Sequence, residues 1–327
     1  MLELWGTRVA FGKCVCRLER FIAKDNTLAV RRIRKEILNA IRGLVPFPHS
    51  IGKRFILKGA RDATGTSTVL PGSDTNGLGS IRIEHPKGTF ALTPASFISL
   101  TAICYRQDLL SGVGLDWGTG TGCLAIAAAR VDSVSRVYGL EVERANVNAA
   151  RVNVTLNAVD KKVRILHCDS YRPFTASGVK RLEALKHKVT FILANPPSSE
   201  GDDGFGYRRE VLRGGRKYLE RGGRVFLSIS SQYGAARITR LVRDAPGFVY
   251  RGLLAGTDLV PFDLSRSDLL HCLELYAAEE RRGGMEYTFH NPEAKDLIMN
   301  ATSGLDMYRS TGRSPLMRWQ THLFEAR

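Results

Sequence analysis

The sequence has no long hydrophobic run. Apolar residues make up 43% of its 327 positions, yet no stretch approaches the roughly 18 uncharged apolar residues that suggest a membrane-spanning helix. A secretory leader is not expected either. Residues 1–11 carry Glu3 and Arg8 among their apolar letters, and no small-residue cleavage site follows. These absences predict a cytoplasmic protein with no membrane partner. Cysteine is sparse: Cys14, Cys16, Cys104, Cys123, Cys168 and Cys272. No Cys/His spacing among them matches a zinc site, so no metal is expected. Reduced, mostly buried thiols are the reading that fits cysteine's usual place in a fold. Acidic residues are also in deficit, 32 Asp and Glu against 48 Lys and Arg, which leaves a net charge of +16. Such a field favours an acidic partner, such as nucleic acid or a ribonucleoprotein, although solubility alone also accounts for it.

The charge is unevenly spread. Residues 1–60 hold thirteen Lys or Arg and four Asp or Glu. Within them Val30, Ile33, Ile37, Ile41 and Leu44 follow helical spacing, opened by Asp25-Asn26 and stopped by Gly43 and Pro46. Arg31, Lys35 and Arg42 share one flank of that helix, either a solvated face or an arm for an acidic acceptor. Residues 59–80 are rich in Gly, Ser, Thr and Asp and read as a loop or linker. Residues 81–84 alternate, His85-Pro86-Lys87-Gly88 turns, and residues 89–92 extend again, which predicts a β-hairpin.

From about residue 95 the pattern becomes strand, helix, strand, helix. Apolar runs at 113–117, 137–140, 163–166, 189–194, 225–229 and 269–276 read as buried strands. Helix-like runs at 95–110, 121–131, 143–157, 176–187, 207–220 and 232–244 separate them. The alternation implies an α/β fold with a doubly wound, mostly parallel sheet. Three regions follow: a basic N-terminal region over 1–84, a catalytic domain over 85–278, and a C-terminal extension over 279–327 with no assigned role.

Four segments carry chemistry. The first is Gly114-Leu115-Asp116-Trp117-Gly118-Thr119-Gly120-Thr121-Gly122, a strand, an acid and three alternate glycines before a helix. It sits where open α/β sheets bind ligands. A dinucleotide loop wants G-x-G-x-x-G, and here the third glycine falls one residue early. Asp116 would repel a pyrophosphate and suits an ammonium. S-adenosylmethionine (SAM) has an ammonium and no phosphate. The second segment ends in Glu141, a carboxylate able to accept from both ribose hydroxyls, or else a charge at a helix start. The third is His167-Cys168-Asp169-Ser170, where Asp169 can accept an adenine amino group and His167 reads as structural. The fourth is Asn195-Pro196-Pro197-Ser198. The prolines lack an N–H and end the strand. They fix the Asn195 side-chain oxygen and the Pro196 carbonyl as acceptors, which can hold a planar NH2 with its nitrogen aimed at a donor methyl.

Together these segments resemble the class I SAM-dependent methyltransferases, and Asn195-Pro196-Pro197 resembles their amino-methylating branch. Gly201-Asp202-Asp203-Gly204-Phe205-Gly206-Tyr207-Arg208 and Leu219-Glu220-Arg221-Gly222-Gly223 follow the order found in the glutamine-N5 methyltransferases of peptide-release factors. The resemblance covers residues 88–278. It implies a Rossmann-like seven-stranded sheet and SAM as cofactor, held by Phe90, Thr93, Asp116, Gly118, Thr119, Gly120, Gly122, Glu141, Asp169, Ser170 and Asn195. Phe90 and Thr93 would cover the methionine end. Ser198 stands where that subgroup has an aromatic ring, and Ser228-Ile229-Ser230 replaces its Glu-Ile-Gly. Ser198, Tyr207, Arg31, Lys35 and Arg42 are the candidate acceptor contacts. The acceptor reads as a protein glutamine or a nucleic-acid base, ribosome association being one source of the basic charge. A small molecule is a further alternative, and a decayed SAM-binding or nucleic-acid-binding module is the non-enzyme one.

Overall fold

The computed structural model describes residues 66–327. Every described residue belongs to one compact unit. The helix expected near residues 30–44, with Arg31, Lys35 and Arg42, lies outside the described residues, as do Cys14 and Cys16.

The described chain opens with β1 (Ser67–Leu70) and β2 (Ile81–Glu84), paired antiparallel from Ser67↔Glu84 to Leu70↔Ile81. The hairpin is therefore real but its partner lies upstream, inside the segment read as linker, and not at residues 89–92. The physical reason is the far edge of β2. Asn153 and Asn157 occupy it with their side-chain amides, which imitate a neighbouring strand. Asn153 accepts from Glu84 N and donates to Glu84 O, both at 2.8 Å. Asn157 accepts from Arg82 N at 3.0 Å and donates to Arg82 O at 2.6 Å. Residues 89–92 instead lead into α1 (Pro94–Tyr105), which Thr93 caps in a capping box with Ser96.

Next come β3 (Gly112–Trp117), α2 (Cys123–Ala129), β4 (Val134–Glu141), α3 (Arg144–Leu156), β5 (Val163–Asp169), the short β6 (Arg172–Pro173), α4 (Ala176–Glu183), β7 (Val189–Ala194), α5 (Gly206–Gly215), β8 (Leu219–Ser228), α6 (Gly234–Asp244) and β9 (Phe248–Gly256). Alternate residues of the strands feed opposite faces. Phe191 and Leu193 join one apolar core with Phe97 and Ile126, while Ile192 and Ala194 join the other with Leu115 and Leu212. Cys104, Cys123 and Cys168 are free and buried, in keeping with the reading of reduced thiols.

The expected strand at 269–276 is a helix, α7 (Ser267–Arg281), preceded by β10 (Val260–Pro261). Its apolar letters recur at helical spacing: Leu273, Tyr276 and Ala277 are buried while Asp268, His271 and Glu274 face out. Then follow β11 (Phe289–His290), β12 (Ile298–Met299), α8 (Ala301–Thr311), β13 (Leu316–Met317) and β14 (Gln320–Ala326). Strands β10 to β13 form a small separate sheet. The main sheet runs β6-β5-β4-β3-β7-β8-β14-β9, parallel from β5 to β8, with β14 antiparallel to both neighbours. Seven long strands in this order make the Rossmann-like sheet that the resemblance implies. Its closing strand comes from the segment read as an extension without a role.

Candidate functional site

The carboxyl ends of β3, β4, β5 and β7 meet at one edge of the sheet. After Trp117 the chain takes left-handed backbone at Gly118, Gly120 and Gly122, with φ of 64°, 55° and 91°. Gly122 is the cap of α2, and a side chain at Gly120 would stand 3.0 Å from the Phe90 ring. At both positions glycine is what permits the geometry. Phe90 therefore lies against the loop, anchored by its N–H to Asn146 Oδ1 at 2.8 Å.

Asp116 is fully buried. Its Oδ2 accepts from Thr119 Oγ1 at 2.5 Å and from Ala125 N at 3.0 Å, and its Oδ1 has no partner. Burial pushes its carboxyl up to about 7, helped by the nearby Glu141 charge and opposed by the two hydrogen bonds. An orphaned buried carboxylate oxygen calls for a donor. An ammonium is a donor of the kind this oxygen needs, and a side chain added at the nearby Gly118 would meet nothing within 4 Å.

Glu141 is already engaged. It accepts from Gly120 N at 2.7 Å, Glu143 N at 2.9 Å and Asn146 Nδ2 at 3.4 Å. A carboxylate has about four lone-pair sites, so one remains, and the long Asn146 bond is the one a ribose hydroxyl would displace. At the end of β5, Asp169 is half exposed and paired with Arg172 at 2.9 Å. Ser170 takes left-handed backbone (φ 54°) and accepts from Trp117 Nε1 at 2.8 Å, which ties β5 to β3. His167 packs on Phe174 and bonds the Val142 carbonyl at 2.8 Å, a structural position.

Asn195 follows β7. Its Nδ2 donates to Ser96 Oγ at 3.4 Å, and Ser96 is the residue boxed with Thr93 at the start of α1. With the amide nitrogen turned to Ser96, the amide oxygen is turned away from it. The Pro196 and Pro197 carbonyls accept from Arg208, at 3.3 Å and 3.1 Å. Tyr207 is exposed and its ring centroid lies 6.1 Å from that of Trp117. Ser198 lies against Gly204, whose Cβ would meet Ser198 Oγ at 2.9 Å.

The structure thus gathers Phe90, Thr93, Asp116, Thr119, the glycines, Glu141, Asp169, Ser170, Asn195, Pro196, Pro197, Ser198 and Tyr207 around these strand ends. It adds Ser96, Asn146 and Arg208, which sequence reasoning did not single out for the site. Their roles depend on what lies opposite them in space, and Arg208 stands in the sequence only as the last residue of the Gly201–Arg208 run, with no role attached to it.

Residues 99–245 match the family described as Methyltransferase small domain. The release factor glutamine methyltransferase of Thermodesulfovibrio yellowstonii is 27% identical over 195 residues, 52% of this chain and 65% of that protein. The U6 small nuclear RNA (adenine-(43)-N(6))-methyltransferase of Schizosaccharomyces pombe is 28% identical over 137 residues, 38% of this chain and 34% of that one. Among solved structures, the Thermus thermophilus 16S rRNA N2 G1207 methyltransferase shares 22% identity at a TM-score of 0.45, covering 57% of this chain and 47% of its own. The chain thus spans less than two thirds of these proteins. The match to the methyltransferase domain covers residues 99–245, and SAM is the cofactor the site there fits.

Proposed function

We propose that this chain, with its methyltransferase small domain over residues 99–245, is an N-methyltransferase acting on a planar amide or amine nitrogen of a macromolecule, a protein glutamine ahead of a nucleic-acid base. The carrying observation is the Asn195 side chain. Its nitrogen is held by Ser96 at 3.4 Å, which leaves its oxygen as an acceptor at the end of β7. When bound, SAM supplies an electrophilic methyl on a sulfonium. The protein's part is to place the acceptor. Asn195 Oδ1 takes one hydrogen of the acceptor NH2, the Pro196 carbonyl takes the other, and the nitrogen lone pair is left free to point at the methyl. Asp116 would hold the methionine ammonium of that cofactor, Glu141 its ribose hydroxyls and Asp169 its adenine amino group.

A nucleic-acid base is the second reading. The basic first sixty residues favour it, because phosphate neutralisation by Lys and Arg dominates nucleic-acid affinity. Two experiments test these readings. Asn195→Ala should keep most of the SAM affinity while transfer falls about 10²-fold or more, the usual loss for one oriented polar group. Unchanged transfer would remove amino-methylation. Radiolabelled transfer into cell extract, divided by protease and nuclease treatment, separates protein from nucleic-acid acceptors.

A further inference from the structure

The Asn195-Pro196-Pro197 segment leaves the sheet with carbonyls that no strand partner meets, and buried carbonyls need donors. Arg208, in the first turn of α5, supplies them. It is 4% exposed. Its Nη2 donates to Pro196 O at 3.3 Å, its Nη1 to Pro197 O and Gly204 O at 3.1 Å each, and its Nε to Ser228 O at 3.1 Å. The guanidinium lies 4.7 Å from the Tyr233 ring centroid and 5.2 Å from that of Phe205. All four bonds end on main-chain carbonyls. The planar fork thus pins both ends of the 196–204 loop to the end of β8.

We propose that Arg208 is the positioning residue of the acceptor site: by gripping the Pro196 carbonyl it aims that oxygen's second lone pair at the acceptor NH2, beside the Asn195 amide oxygen. The inference rests on the amino-methyl transfer proposed above. A carbonyl oxygen has two lone pairs. Arg208 takes one, and the rigid prolines then leave the other in a set direction. Lysine at this position would keep the charge but not the fork, so the carbonyl would lose its fixed orientation.

The test uses the full chain with tritiated-methyl SAM and two probes, bulk ribosomal RNA and bulk ribosome-associated protein from cell extract. In Arg208→Lys, the initial rate at saturating SAM should fall at least about tenfold on the probe that the wild type methylates, with SAM affinity by calorimetry within about threefold, since misplacement of a reacting group costs rate rather than cofactor binding. A wild-type rate in Arg208→Lys, or affinity falling in step with rate, overturns the positioning role. Should that variant not fold, nitrogen-15 arginine NMR of the wild type decides: four separate Nη–H resonances for Arg208 are expected, and one averaged signal overturns the grip. Asn195→Ala run alongside separates the layers. Its loss of transfer with full rate in Arg208→Lys overturns the positioning alone, and no loss in Asn195→Ala overturns the reading beneath it.

Discussion

Two buried groups, Asp116 and His322, move the stability of this fold in opposite directions with pH. The Asp116 carboxyl is pushed up to about 7 by burial. Between pH ~4 and ~7 the unfolded chain loses this proton and the folded chain keeps it, so the fold loses stability as pH rises through that window. His322 on β14 is pushed down to about 4, by burial first and by the Arg208 charge as well, while its bond to the Ile229 carbonyl opposes the shift. Between pH ~6.5 and ~4 the unfolded chain takes up that proton first, so stability falls as pH drops. The two effects offset each other over much of one range. Asp116→Asn should therefore unmask a stability that rises from pH 4 to 6.5, and His322→Gln one that falls. Denaturant midpoints at pH 4.5, 5.5 and 6.5 check both signs, and parallel profiles in the two variants would contradict the assignment. At the same scale, Glu141→Ala should weaken SAM binding by roughly 1–3 kcal/mol, the usual loss for hydrogen bonds to a charged group. Unchanged affinity in calorimetry would remove Glu141 from the ribose role.

At the scale of elements, side chains take over work that strands usually do. Asn153 is fully buried on α3 and bonds both Glu84 main-chain groups and the Thr121 carbonyl at 2.9 Å. It joins the β1–β2 hairpin to the glycine loop. Asn153→Ala should cost about 1–3 kcal/mol per main-chain group left without a partner, and hydrogen exchange at Glu84 should rise before that of the main sheet. The closing strand behaves differently. Phe324 is fully buried on β14, between β8 and β9. Phe324→Ala should destabilise the whole domain by about 3–5 kcal/mol. A loss confined to residues after 316, with the rest of the sheet protected, would show that β14 is dispensable.

On the scale of the molecule, charge and chemistry are separated along the chain. Nine of the sixteen net positive charges fall within residues 1–60, ahead of every site residue at the strand ends. If the acceptor is nucleic acid, affinity should fall with salt at about −0.9 in log–log slope per phosphate neutralised on duplex DNA and about −0.7 on single strands. Charge reversal at Arg31, Lys35 and Arg42 should flatten that slope in filter binding of total RNA. Binding that does not respond to salt would return this flank to a solvated face.

The sequence by itself determined the five parallel strands and the loop of glycines. Both depend on local chemistry: runs of apolar residues long enough to cross a buried sheet, and positions where only glycine takes left-handed backbone. It also determined that Asn195 and two prolines end a strand, because proline cannot continue a ladder. Tertiary structure alone decided the rest. Residues 269–276 are a helix because Leu273, Tyr276 and the following Ala277 find a core on one side, and apolar letters at that density suit a strand equally well. β14 (Gln320–Ala326) enters the sheet far along the chain from β8 (Leu219–Ser228) because two strand edges stood open for it, a fact no local pattern carries. Arg208 lies buried because four carbonyls converge on it from three segments, and a charge in sequence shows only that it needs such partners, not where they are.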